Sequence, residues 1–192
     1  MKKEKMNFLY FIGYLFYRLL YRIIYRVECV GLENVPEYGG AIIASNHFSY
    51  ADPPLVGASL KRPLHYMAKK ELFRNVVIKK ILLGVNAFPV KRGKMDLDAL
   101  RSAIELLQNG KLLLLFPEGT RRKKDRKPRI KKGVGFLVKK TNSVVIPVKI
   151  INSDKIFRFA KLKVIFGKPL SFAQEADAKT ISERVFNTIE DL

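Results

Sequence analysis

The sequence predicts an α/β domain: a mainly parallel or mixed sheet flanked by helices, preceded by an amphipathic N-terminal helix. Three observations predict it. Short apolar runs alternate with helical patterns along the body of the chain, the mark of strands joined by crossover helices. Two of those runs, "KLLLLF" and "SVVIPVKI", are near-continuous, as strands buried on both faces are. The opening residues combine aromatic and aliphatic side chains with arginines spaced by four. With 192 residues, 48% hydrophobic and 28% charged, the chain can build one real core and is not disordered by composition.

The first element is "MKKEKMNFLYFIGYLFYRLLYRIIYRV". It starts like a signal peptide, but no small-residue cleavage site follows, and Arg18, Arg22 and Arg26 interrupt it. The charge-free run Met6 to Tyr17 covers about 18 Å as a helix, short of the ~30 Å hydrocarbon core. The arginines fall on one helical face. Phe8, Phe11, Ile12, Leu15, Leu19, Ile23 and five interleaved tyrosines cover the rest. That pattern suits a helix lying in a membrane interface. An amphipathic helix docked on the chain's own core is one alternative, and a full span by Met6 to Ile24 with snorkelling arginines is another. Residues 1–26 are therefore expected to form a membrane-interface helix, and residues 27–192 the folded domain.

Strands are expected in "YRVECVGL", "GGAIIASNH", "PLHYMAKK" and "GVNAFPVKR". The single cysteine, Cys29, lies in the first of these and reads as a packing residue. One cysteine allows no intrachain disulfide and fits a reducing compartment. A helix follows in "DLDALRSAIELLQNG": Asp96 can cap it, Leu97, Leu100, Ile104 and Leu107 share a face, and Gly110 ends it. Next come the "KLLLLF" strand, a helix in "KKGVGFLVKKT", the "SVVIPVKI" strand, a strand and turn in "KLKVIFGKPL", and a closing helix in "DAKTISERVFNTIED".

In such sheets, sites collect in loops beyond the strand ends. Three polar clusters fall there. The first is "SNHFSYADPP", with His47 and Asp52. On a helix their spacing sets side chains about 140° apart, so they meet only if the chain turns between them. Pro53 and Pro54 suit a boundary at which a loop becomes the helix "PPLVGASLK". A carboxylate there can hold one imidazole N–H while the other nitrogen faces a cleft, the arrangement of an oriented general base. Alternatively Asp52 only caps the helix and His47 is a loop residue. The second cluster is "FPEGTRR": Gly119 permits close backbone approach, and Arg121 could grip a phosphate with two N–H groups. The third is "AFPVKRG", where Lys91 and Arg92 end a strand. His65, in "PLHYMAKK", reads as structural.

The net charge of +20 points to an anionic partner: nucleic acid, an anionic membrane or a phosphorylated ligand. Arg121 to Lys132 holds nine cations and one acid. It reads as a solvated loop, a phosphate grip, a headgroup contact or a nucleic-acid contact, the last being the mark of a basic nucleic-acid-binding protein. No nucleic-acid-binding motif accompanies it, and no specific nucleic acid is expected.

Together the clusters resemble the glycerophospholipid acyltransferase family, the lysophosphatidic acid acyltransferases. "NHFSYAD" is similar to the family's NHx4D block, "FPVKRG" to its second block, "FPEGTRR" to its FPEGTRS block and "VVIPVKI" to its proline-bearing fourth. The blocks keep the family's order, and the likeness covers about Val27 to Leu170. It implies the glycerol-phosphate acyltransferase fold and direct acyl transfer, without an acyl-enzyme, cofactor or metal. His47 would be the base and Asp52 its orienting carboxylate. Arg92, Glu118, Gly119, Thr120 and Arg121 would surround the glycerol-phosphate acceptor, and Pro147 would shape the acyl or acceptor pocket. The partners implied are a lyso-phospholipid acceptor, an acyl-CoA or acyl carrier protein donor, and an anionic membrane. The expected place is peripheral, at the cytoplasmic face of the cell membrane. Acylation of glycerol 3-phosphate or another lyso-lipid stays open. Arg122 stands where the family commonly has serine, a change expected to leave the site intact.

Overall fold

The structure, a computed structural model, describes residues 4–91, 96–122, 128–173 and 176–192. Arg92, part of the third cluster, lies outside the described residues, as do residues 123–127 of the basic run.

Seven strands form one sheet: β1 (Glu28–Val30), β2 (Ala41–Ser45), β3 (Leu64–Lys69), β4 (Ala87–Val90), β5 (Leu112–Leu115), β6 (Val144–Ile151) and β7 (Lys163–Phe166). Their spatial order is β1-β7-β6-β2-β5-β3-β4. Every pair is parallel except β6 with β7, so the expected mainly parallel or mixed sheet is what forms. Among the described residues the α-helices are α1 (Phe8–Ile23), α2 (Asp52–Ser59), α3 (Val76–Gly84), α4 (Leu97–Gln108), α5 (Gly133–Thr141) and α6 (Ala178–Asp191).

β2 is buried along its whole length, and its side chains alternate between two cores. Ala41 and Ile43 join Leu55, Val56, Leu112, Leu114, Ile146 and Val148 on one face, under α1 and α2. Ile42 and Ala44 join Leu113, Val145, Ala103, Leu137 and Val185 on the other, under α4, α5 and α6. Being covered on both faces explains why these strands read as unbroken apolar runs.

Asp96 caps α4 through Ala99 N at 3.3 Å, and Gly110 follows its end with φ 74°, both as expected. The expected face of α4 forms at Leu107, which is buried, and at Leu100 and Ile104, which pack half-buried against the same core. Ala99, Ala103 and Leu107 turn inward, and Leu97 is exposed. The small side chains of Ala99 and Ala103 let the helix lie close to the sheet. In α1 the tyrosines are the inward stripe. Tyr10 and Tyr21 are buried, Tyr10 Oη accepts from Leu64 N at 2.9 Å, and Tyr21 Oη donates to Ala51 O at 3.2 Å. The opposite face, Phe8, Phe11, Ile12, Leu15, Leu19 and Ile23, stays exposed. So α1 docks on the core and presents an apolar face at once. Arg26 does not extend the arginine row, because the helix stops at Ile23 and Arg26 has φ 45°. Among the described residues, no helix is long and apolar enough to cross a membrane.

Candidate active site

β2 and β5 are adjacent and parallel, with Ala44 opposite Leu115. Their C-terminal ends therefore deliver the first two polar clusters to one edge of the sheet. Asn46 fixes the exit from β2. Its side-chain amide donates to Ile150 O at 2.8 Å and accepts from Ile150 N at 2.7 Å, standing in for a strand residue beside β6. The chain can then leave the sheet at His47 with its polar groups satisfied.

His47 and Asp52 meet. His47 Nδ1–H donates to Asp52 Oδ2 over 2.8 Å, with both side chains buried. The same oxygen accepts from the backbone N–H groups of Phe48 and Ser49, each at 2.7 Å. Asp52 is the first residue of α2, with Pro53 and Pro54 in its first turn. Its carboxylate does not cap that helix. It reaches back to close the loop before it, and this closure carries His47 round to the carboxylate. The proton is thereby placed on Nδ1, leaving Nε2 for acid–base chemistry. The His47 ring stacks on Phe116, 3.9 Å between centroids and 15° between planes, which fixes its remaining freedom.

The second cluster forms a turn just past β5. Gly119 has φ 69°, a conformation that favours glycine, and its N–H closes the turn on Phe116 O at 2.8 Å. Glu118 is buried. Burial pushes its carboxyl above the usual carboxylate range, and the Arg122 guanidinium at 2.9 Å draws it part of the way back. Glu118 Oε2 has no hydrogen-bond partner among the described residues. Thr120 is exposed beside it. Arg121 lies over the Tyr50 ring, 3.6 Å from its centroid, with Nη2 donating to Tyr50 Oη at 2.9 Å.

His47, Tyr50, Phe116 and Arg121 stand in the wall of one cavity of about 470 Å³. Its other walls come from Tyr10, Tyr14 and Tyr17 of α1, Gly57 of α2, and Ile81, Leu82 and Val85 on and just after α3. The site therefore pairs an oriented imidazole and a guanidinium with a mostly apolar chamber.

The remaining expectations fall elsewhere. Pro147 sits inside β6 opposite Ala44 and is not in the cavity wall, so the structure does not bring it to the other site residues. Its carbonyl accepts from Gly167 N at 2.8 Å on the β7 side, so its missing N–H falls past the last ladder pair, Val148–Phe166. Lys91 N donates to Asp96 Oδ2 at 2.7 Å, a link that supports the start of α4. His65 is buried in β3, with Nδ1 3.3 Å from Leu112 O, away from the cavity.

Sequence reasoning missed the role of Arg122. Its backbone N–H donates to His47 O at 2.7 Å, joining the two clusters. Its side chain reaches Glu118 at 2.9 Å and forks onto Glu190 of α6 at 2.8 and 3.1 Å. The density of arginines was a signal, but the partner lies near the far end of the chain. Arg122→Ser is expected to cost about 1–3 kcal/mol at about pH 8, since a buried charged acceptor loses its donor. The contact to half-exposed Glu190 adds little. The sign follows from Glu118. Its carboxyl is already raised in the folded chain, and loss of Arg122 raises it further. The deficit should vanish below the ordinary carboxylate range and grow as pH rises through the raised folded value. Thermal midpoints of both proteins across that range check this; a pH-independent difference would contradict it.

The acyltransferase family model matches residues 26–151. A 1-acyl-sn-glycerol-3-phosphate acyltransferase of Bacillus subtilis is 32% identical over 154 residues, which are 78% of this chain and 76% of that protein. A chloroplastic 1-acyl-sn-glycerol-3-phosphate acyltransferase of Arabidopsis thaliana is 29% identical over 86% of this chain, and the chain spans about half of its length, 49%. The crystal structure of the 1-acyl-sn-glycerophosphate acyltransferase PlsC from Thermotoga maritima shares the fold, with a TM-score of 0.75 and 26% identity over 95% of this chain and 78% of that one. A strand-end imidazole–carboxylate pair, a guanidinium beside it and these matches agree: the chain belongs to the acyltransferase family, with the 1-acyl-sn-glycerol-3-phosphate acyltransferases.

Proposed function

We propose that the chain transfers an acyl group from a thioester, acyl-CoA or acyl carrier protein, to the 2-hydroxyl of lysophosphatidic acid, giving phosphatidic acid. The observation that carries this is the 2.8 Å contact of His47 Nδ1 with Asp52 in the wall of an apolar cavity that also holds Arg121. His47 Nε2 takes the proton as the acceptor oxygen bonds to the thioester carbonyl. Asp52 stabilises the resulting imidazolium. The tetrahedral intermediate collapses, the C–S bond breaks, and the imidazolium returns the proton to the departing thiolate. No enzyme nucleophile is needed. Cys29, the sole thiol, is not in the cavity wall.

Arg121, in the cavity wall, binds the acceptor phosphate, and Glu118, Gly119 and Thr120 form the turn that carries it. Arg92 joins this group on the family resemblance alone. The apolar walls between α1, α2 and α3 suit an acyl chain. α1, with its exposed aliphatic and aromatic face, Arg18 and Arg22, holds the chain peripherally at the cytoplasmic face of the membrane.

Acyl transfer by the purified chain, assayed against lysophosphatidic acid, glycerol 3-phosphate and other lyso-lipids with each donor, tests the reading. Lysophosphatidic acid should be the fastest acceptor; faster glycerol 3-phosphate acylation would replace it. Arg121→Ala should raise KM for the phosphorylated acceptor about ten- to a hundredfold with kcat little changed, the cost of one charge-assisted contact. An unaltered KM would move the phosphate elsewhere.

A further inference from the structure

The exposed face of α1 does not end with α1. At its N-terminal end lies α3, which buries none of its residues. Val76 and Val77 are 67% and 66% exposed, and Ile78, Ile81 and Leu83 are exposed with them. α3 is nonetheless well started: Asn75 accepts from Val77 N and Ile78 N at 3.0 and 3.1 Å. It leans on α1, where Leu9 fills the space beside Gly84 and the Asn7 amide reaches Asn86 Oδ1 at 3.4 Å. At the other end of α1 is the turn Ser153–Arg158 and the residue after it. Phe157 is 93% exposed. Phe159, also exposed, stacks on Tyr25 just past α1, 6.0 Å between centroids and 19° between planes. A helix of 16 residues separates these two outposts by about 24 Å.

Single exposed apolar residues need no explanation, but a run this continuous does. Its charges choose the occupant. Lys79 and Lys80 lie on α3, Lys69, Lys70 and Arg74 in the segment before it, Arg18 and Arg22 on α1, and Lys155 and Arg158 in the turn. The acids on the same stretches are Glu71 and Asp154. An apolar surface margined by cations is complementary to an anionic lipid leaflet. The cavity supports the same occupant, because α1 and α3 both contribute to its wall.

We propose that α3 and the Phe157–Phe159 turn are membrane contacts which, with α1, seat the chain on one anionic leaflet at three points, so that an acyl chain reaches the cavity laterally between α1 and α3. Only the lateral route rests on the acyl-transfer reading; the seating does not. Three separated contacts set the tilt of the sheet edge that carries His47, which a single helix leaves free to roll.

The test uses the full chain and equimolar phosphatidylcholine–phosphatidylglycerol vesicles. Val76→Ser with Val77→Ser on α3, and Phe157→Ser on the turn, lie outside the cavity wall. Each variant should lower vesicle partition about tenfold or more, and their combination should multiply the losses. Thermal midpoints and acyl transfer to a monomeric short-chain acceptor without vesicles should stay at wild-type values. Wild-type partition by both variants would overturn the proposal. So would equal wild-type partition onto pure phosphatidylcholine vesicles, or a dimer in solution that these substitutions dissociate without changing partition. Absent acyl transfer with intact partition would instead count against the enzymatic reading alone.

Discussion

His47→Ala is expected to abolish acyl transfer, a loss of about 10²- to 10⁴-fold or more, with the fold retained. The loss is large because the ring is the only imidazole in the cavity wall, and its orientation is set twice, by Asp52 and by stacking on Phe116. The fold should survive because the loop is closed by Asp52 onto the Phe48 and Ser49 N–H groups, contacts that do not pass through the imidazole. Turnover and thermal unfolding of the same preparation check both halves. Near-wild-type turnover would remove His47 as the base, and an unfolded variant would show that the ring holds the loop.

The second large effect is Asp52→Asn. An amide keeps an acceptor for the loop N–H groups but cannot stabilise an imidazolium, so kcat should fall about 10²- to 10⁴-fold with KM little changed. The structure adds a cost in stability. Asp52 is fully buried, and its Oδ1 has no partner among the described residues, so an NH₂ placed there would be an unsatisfied donor. About 1–3 kcal/mol should be lost. Asp52→Ala, which also frees the two N–H groups, should unfold more readily than Asp52→Asn. Steady-state kinetics and denaturant midpoints separate the effects. An unchanged kcat in Asp52→Asn would reduce Asp52 to a loop clasp.

Much of the frame was legible because burial on both faces leaves a plain mark. "AIIAS", "LLLL" and "VVIPVKII" are apolar without alternation, and they are β2, β5 and β6. α3 was not legible: "VVIKKILLG" has no polar face against which a buried one could be recognised, and the structure buries neither. The stripe of α4 was legible at Leu100, Ile104 and Leu107 but not at Ala99 and Ala103, whose small side chains carry no periodic signal and yet are buried against the sheet, while Leu97 is exposed. The pairing of His47 with Asp52 could be posed from spacing but not decided, since helical geometry keeps them apart and only the back-bonded loop joins them. The tie from Arg122 to Glu190 was out of reach. No local pattern links residues 68 apart, and only the packing of α6 brings them together.

The most direct measurement is phosphatidic acid formed from lysophosphatidic acid and an acyl thioester by the wild-type chain and by His47→Ala, side by side and both shown to be folded. Formation by the wild type with either donor, and loss of about two orders of magnitude or more in the variant, is the predicted result. No product from folded wild type with either donor, or equal product from both proteins, would contradict the account.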